Sequence, residues 1–415
     1  MGIGPSSKET TLHHFNDPLV ETISGDREID FLGIAVQGTP EVYSDKRFNA
    51  QRCGALAEAM RADGVIVSID SWGNSHIDFA SVLEEIGKRA IPTVGLSFVG
   101  NQASFVVTNP YMETIIDLNK NTAGIETRVV GENTASEMDA KKAVALLKNK
   151  IRKKMRSSPS IREPIREKAV RKLTMESFAV HRVSFSERTE IENEILFLND
   201  SSKNIAARYR QIETIRLEAI YPDQQNQFVN SILDFSPVAV KVSGKPGEGV
   251  TRKLSGLSVM LTGVEVGGFQ AANIGSSEGI LAEHVKLLRR GTPSPDDIIL
   301  HVDVVLKDGQ ARTREGITAA HRACDEIVQQ IRQPLKRMEG AGASEREEFY
   351  DFYRIGGKKV LLVKLVPGLG CMYDTGLFPC EPGGCMGCRS VMDLGNMPVI
   401  VSPNEYRDGA VCSFS

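Results

Sequence analysis

The four cysteines of "GCMYDTGLFPCEPGGCMGCRS", Cys371, Cys380, Cys385 and Cys388, are the densest group of reactive side chains in the sequence. Two thiols separated by two residues can close a disulfide or fill two corners of a zinc tetrahedron, and four thiolates could complete a metal site. The spacing is not that of paired zinc knuckles, and no second Cys-x-x-Cys occurs. Cys385 and Cys388 are therefore expected to be redox-responsive, with the four-cysteine metal site as the alternative. Cys53 and Cys324 fall on apolar faces of helical patterns and read as core. Cys412, followed by Ser413, comes just after "PNEYRDGAV".

A second group lies in "SIDSWGNSHID", residues 68 to 78. Asp70, Trp72, Asn74, His76 and Asp78 occur where an expected strand gives way to a helix, and in open parallel sheets ligands bind at that carboxyl edge. They could converge there on a polar substrate. The competing reading makes Asn74 or Ser75 a helix cap, His76 a surface residue and Trp72 packing, and the residues alone favour it, because every strand-to-helix turn needs a cap.

The elements that must position these groups follow from periodicity. Short β-rich runs at 31–36, 64–69 and 93–99 alternate with helical patterns, which predicts parallel strands joined by crossover helices. Cys53, Leu56, Ala57 and Met60 recur at helical spacing, and "HIDFASVLEEIGKRAIP" repeats the scheme before Pro92. A third helix is expected from about Asn133 to Lys150, with Thr134 and Glu137 as a capping box. The fold class is thus α/β, a doubly wound, mainly parallel sheet in a domain spanning 1–150, followed by a β-rich α+β domain at 175–415. Between them, residues 148–172 carry eleven Lys or Arg with no aromatic residue, so 151–174 reads as a solvated basic linker and not as a nucleic-acid patch.

The chain has 415 residues, 41% apolar and 25% charged, with a net charge of −3, which favours neither nucleic acid nor a membrane surface as partner. No apolar run reaches the roughly 18 residues of a membrane span, and the opening residues lack a signal-peptide pattern. A cytoplasmic protein is expected. Seven cysteines, an odd number, fit thiols or metal ligands better than a secreted disulfide frame.

Two stretches carry a family resemblance. Residues 31–150, with "DGVIVSIDSWGNSHID", "VTNPYMETIIDLNKN" and "DAKKAVALLKNKI", resemble the carboxyl-terminal part of the pyruvoyl-type proproteins of the glycine, sarcosine, betaine and D-proline reductases, closest to D-proline reductase. Residues 175–415, with "LSVMLTGVEVGGFQAANIG" and "PNEYRDGAVCSFS", are similar to the amino-terminal part, so the halves stand in exchanged, circularly permuted order. "LHHFNDP" resembles the stretch after the family's cleavage point, His14, Asn16 and Pro18 falling on its histidine, asparagine and proline. The resemblance implies that His14 and Ser413 lie near one another at the carboxyl edge of the first sheet.

In that family a pyruvoyl group condenses with the substrate amine, and a selenolate or thiolate of a partner subunit displaces the nitrogen. No cysteine precedes His13 here. The resemblance then implies an oxidoreductase for C–N bond cleavage of an amino acid or cyclic amine, with Cys412, Ser413 and His14 catalytic. The electrophile would be peptide-derived, pyruvoyl-like or a Cys/Ser heterocycle. Expected partners are a thiol- or selenol-bearing subunit, a peptide-modifying enzyme and a small-molecule amine, with a homo-oligomeric state. Two alternatives stay open: a non-catalytic paralogue that assembles with reductase subunits, and a metal-binding protein built on the cysteine cluster.

Overall fold

Strands that are apolar on both faces need cover on both sides. The computed structural model describes residues 10–40, 42–69, 73–97, 99–100, 104–121, 123, 125, 135–157, 164–271, 278–285, 287, 291–366 and 398–409. Its first sheet contains β1 (Ile29–Gly38), β2 (Gly64–Ile69), β3 (Thr93–Ser97), β4 (Ile115–Asp117), β16 (Lys358–Val366) and β17 (Val399–Val401). The order is β17-β1-β16-β2-β3-β4, with every pair parallel except β17 on β1. Helices α2 (Pro18–Gly25) and α5 (Glu137–Ser157) cover one face, packing Leu19, Ile23 and Leu147 on Ile34, Ile66 and Leu362. Helices α3 (Tyr43–Ala59) and α4 (Ser75–Lys88) cover the other through Cys53, Phe79 and Leu83 on Val65, Val67 and Leu361. The expected doubly wound, mainly parallel sheet is present.

The second sheet is built from β5 (Arg166–Ala179), β9 (Ile212–Ile220), β11 (Ser231–Ser243), β12 (Gly249–Glu265), β14 (Ile298–Leu306) and β15 (Glu345–Ile355). Strand β12 pairs with β5 up to Ser255 and with β14 from Leu257. Gly256 is the switch: its φ of +75° suits glycine, and an added Cβ would lie 2.6 Å from the Val180 carbonyl oxygen. Helix α8 (Arg314–Arg337) buries Ile317, Ile327 and Ile331 against one face of this sheet. The short helix α1 (Thr11–Phe15) packs on the other, through Leu12 and through Thr11, whose backbone N–H and hydroxyl donate to Asp234 at 2.9 and 2.6 Å. Short strands β6 (Arg182–Ser186), β7 (Glu190–Glu192) and β8 (Ile195–Asn199) form a small sheet, and β10 (Phe228–Val229) pairs with β13 (Gly279–Ile280). Helices α6 (Ser202–Ala206) and α7 (Leu281–His284) lie on connections, and α9 (Pro403–Gly409) follows β17.

The division of the chain differs from the sequence reading in three places. Strand β16, expected in the second domain, lies between β1 and β2 in the first sheet. The Gly356–Gly357 turn hands the chain from β15 in one sheet to β16 in the other, so the two units are joined by one tight connection. The expected linker is ordered at both ends: 151–157 extend α5 and 166–174 begin β5. The charges of β5 persist because its outer half is exposed and paired across to β15, Lys172 to Glu348 at 2.6 Å and Glu167 to Arg354 at 2.5 Å. The cap of α5 is also displaced. Thr134 lies outside the described residues, Glu137 pairs with Lys141, and Ser136 exchanges hydrogen bonds with Asp139, whose carboxylate accepts from the Ser136 N–H at 2.9 Å.

Without β16, facing edges of β1 and β2 lose their hydrogen-bond partners. A fragment of residues 1–157 should therefore show no cooperative urea transition by circular dichroism, whereas the full chain should. A cooperative transition in the fragment would mean that β1–β4 form a stable sheet unaided.

Candidate functional site

A lysine in a strand buried on both faces demands a counter-charge. Lys364, two residues before the carboxyl end of β16, is 1% exposed and forms an ion pair with Asp17. Asp17 is held for this by its second task, capping α2: its Oδ1 accepts from the N–H groups of Leu19 and Val20 at 2.8 and 3.3 Å, while Pro18 occupies the first helical position. The same carboxylate lies 3.8 Å from His13 Nε2 and 3.5 Å from the Tyr406 hydroxyl. Tyr406, fully buried in α9, shares a hydrogen bond with His14 Nδ1, and its ring centroid lies 5.4 Å from the Lys364 ammonium. An acid, an ammonium, a phenol and two imidazoles thus meet at the carboxyl edge of the first sheet. The proton between Tyr406 and His14 can reside on either atom, depending on the imidazole tautomer, which is what general acid–base work requires.

The opposite face of the same edge holds a second polar layer. Lys46 of α3 donates to Asp78 of α4 at 2.5 Å, both buried. Burial raises the Asp78 carboxyl to about 6, against the pull of Lys46. His76 is 2% exposed, reaches Ser97 Oγ at 3.3 Å and stacks obliquely on Phe105 at 4.7 Å, and burial lowers it to about 4. Burial, with a smaller contribution from Asp78, pushes the Cys53 thiol up to about 12, so it is an inert core group 3.8 Å from Gln37 Oε1. Burial also raises Cys324, in α8. The Nδ1 atom of His76, Ser68 Oγ and Asn49 Nδ2 are buried with no hydrogen-bond partner among the described residues.

The structure therefore sorts the expected residues. His14 joins a side-chain cluster. His76 is buried, which corrects the surface reading of that residue, and Asn74 is an exposed N-cap that makes no side-chain cap hydrogen bond. Asn74, His76 and Asp78 do not converge on one another, since His76 turns to Ser97 and Asp78 to Lys46. Asp70, Trp72, Cys371, Cys380, Cys385, Cys388, Cys412 and Ser413 lie outside the described residues. Sequence reasoning missed His13, Asp17, Lys364 and Tyr406. A single lysine inside "VLLVKLV" was the available signal, because a charge in a continuous apolar run is tolerated only when paired.

Histidine and carboxylate titrations here have opposite signs. Unfolded His76 takes up a proton below 6.5 but the folded side chain only near 4, so its contribution to stability is complete above 6.5 and disappears as pH falls to 4. Asp78 gains its proton near 6 when folded and near 3.8 when unfolded, so its contribution shrinks as pH rises across that interval. Urea unfolding of His76→Gln beside wild type should reveal the histidine alone. The wild-type advantage should grow by on the order of 3 kcal/mol between pH 4 and 6.5. An advantage that does not change with pH would mean that the imidazole is solvated.

Among the described residues no three His, Cys, Asp or Glu side chains are placed to hold a metal ion, and no helix is long and apolar enough to cross a membrane. Residues 2–139 and 171–285 match the family described as glycine/sarcosine/betaine reductase component B subunits. The chain is 37% identical over 246 residues to the D-proline reductase proprotein PrdA of Acetoanaerobium sticklandii, covering 59% of this chain and 39% of that protein. It is 27% identical over 97 residues to the glycine reductase complex component B subunits alpha and beta of the same organism, 23% of each chain. With the sarcosine reductase complex component B subunit alpha of Peptoclostridium acidaminophilum it shares 27% over 78 residues, 18% of each. The chain thus spans well under half the length of these relatives. No solved structure matches it. With two matched blocks that together cover more than half of its length, the chain belongs to the glycine/sarcosine/betaine reductase component B family.

Proposed function

We propose that this chain is a subunit of a selenol- or thiol-dependent reductase that cleaves a C–N bond of an amino acid or cyclic amine. In this reading an electrophile formed at Cys412 and Ser413 stands where the family carries its pyruvoyl group. One observation carries the proposal: Tyr406 of α9 shares a hydrogen bond with His14 of α1, beside the buried Asp17–Lys364 pair. The stretches that resemble the two sides of the family's processing point are thereby in side-chain contact, which supports the exchanged order of the halves. Cys412 and Ser413 come three and four residues after Gly409, so the chain itself ties them to the end of α9.

The donor set beside α9 suits such a group. An electrophilic carbonyl or heterocycle supplies an electron sink for the C–N bond. His14 and Tyr406 hold a proton between Nδ1 and the phenol oxygen, available to an amine that leaves. Lys364, already balanced by Asp17, lets these groups work without importing a counter-ion into the buried edge. On the other face of this edge Asn74, exposed at the start of α4, can reach a substrate, while His76 and Asp78 are buried beneath it and hold that helix on the sheet. Cys385 and Cys388 act as resolving thiols by exchange with the partner's sulfur or selenium. The D-proline reductase relative supports the substrate class. The named glycine and sarcosine reductase complexes support assembly with other reductase subunits, one of which in this reading bears the thiol or selenol, and the electrophile calls for a peptide-modifying enzyme.

The test is turnover of D-proline by the mature protein with its thiol or selenol partner. Cys412→Ala should abolish it, and thermal unfolding of the variant, which loses only one sulfur atom, should change little. His14→Ala should slow it by roughly 100- to 10,000-fold. Full activity in the Cys412 variant would remove that residue from the mechanism and leave a scaffold that assembles with reductase subunits.

A further inference from the structure

Arg407 stands between two tightly tied residues of α9. Tyr406 is bonded to His14, and Asp408 accepts from Lys241 at 2.5 Å, from the Thr251 hydroxyl at 2.6 Å and from the Gly247 N–H at 2.8 Å. Arg407 itself is 7% exposed, with its guanidinium 4.0 Å from the centroid of the Phe349 ring. A guanidinium has five N–H donors and a permanent charge. Among the described residues those of Arg407 make no hydrogen bond and no ion pair.

The other deeply buried arginines are satisfied. Arg332 donates to Asp325 at 2.5 Å and to the Ala239 carbonyl at 3.0 Å; Arg354 donates to Glu167 at 2.5 Å and to the Ile29 carbonyl at 3.1 Å. Around Arg407, Glu21, Asp351, Glu347 and Asp17 act only at longer range, beyond the 4.0 Å of an ion pair. Asp17 is already matched by Lys364 and Glu347 by Lys253; Asp351 accepts from the Asn404 N–H at 3.0 Å through Oδ1 alone, and its Oδ2 is buried with no hydrogen-bond partner among the described residues. Burial works against the Arg407 charge and is its largest influence. Desolvating a guanidinium that has only an aromatic face for company is costly, and an incoming anion would reverse that cost.

We propose that Arg407 is the carboxylate anchor of the substrate, its N–H fork receiving the α-carboxylate of an amino acid whose amine is directed to the His14–Tyr406 pair. The proposal rests on the reductase reading and narrows it to amino acids over plain cyclic amines. The Phe349 ring lies under the guanidinium carbon at 4.0 Å and leaves the N–H edge for bidentate pairing with a planar carboxylate.

Thermal unfolding at fixed ionic strength tests this without turnover, using wild type, Arg407→Met and Arg407→Lys with D-proline, pyrrolidine or acetate. D-proline and acetate should raise the wild-type midpoint progressively with concentration, and pyrrolidine should not. Without ligand, Arg407→Met should melt at or above wild type, and none of the three compounds should shift it. Arg407→Lys should show a reduced carboxylate response and serves alone if the methionine variant does not fold. Carboxylates that leave wild type unmoved, or that stabilise the variants equally, would overturn the proposal. So would a methionine variant that melts below wild type and ignores ligand, since the guanidinium would then serve the protein's own carboxylates. Carboxylate-dependent shifts without any turnover would keep the anchor and reject the reductase reading. Turnover in Arg407→Met with unchanged KM would do the reverse.

Discussion

The ion pair of Lys364 with Asp17 is the constraint on which the rest of the molecule turns. A charge in the middle of a parallel sheet is tolerable only if its partner is delivered dry and already oriented. Asp17 meets that condition because α2 must be capped, and Tyr406 completes the enclosure from α9. Three segments far apart in sequence are thereby required to meet at one sheet edge. Any arrangement that seated β16 elsewhere would strand a buried ammonium, so the same interaction that builds the site also selects the topology.

How far the sequence disclosed this depends on the range of the signal. Apolar runs marked β1, β2 and β3, and helical spacing marked α3 and α4, because these patterns are local. The run "VLLVKLV" at 360–366 has the continuous apolar character of a strand buried on both faces in a parallel sheet. Which sheet it joins was not legible, since strand partners are chosen by contacts hundreds of residues away. Strand β5 was hidden for a different reason: its outer half carries charges that are satisfied by β15 across the ladder, and charge read locally looks like a linker.

The site was legible only where a motif had a known counterpart. His14 came from the family resemblance, whereas Asp17, Lys364 and Tyr406 came only with coordinates, because a buried polar cluster has no period in sequence. His76 shows the converse. A histidine in the first turn of a helix after a strand looks like a rim residue, yet it is desolvated enough to stay neutral well below the usual imidazole range. The two layers at the carboxyl edge therefore differ in chemistry: on one face a proton is shared, on the other it is withheld from an imidazole and retained by a carboxyl.

The insertion of β16 between β1 and β2 also sets a schedule for biosynthesis. When Ile69 has left the ribosome both strands exist, but the strand that must separate them is not finished until Val366. At roughly 5 to 20 residues per second this leaves about 15 to 60 seconds in which two apolar strands face a gap of their own width. Direct pairing of β1 with β2 is the obvious trap, with the register wrong and Asp17 lacking its ammonium. A nascent chain of this kind has reason to be shielded by a chaperone, and synonymous codon choices that slow translation between these strands would be expected to lower its yield more than those placed after β16.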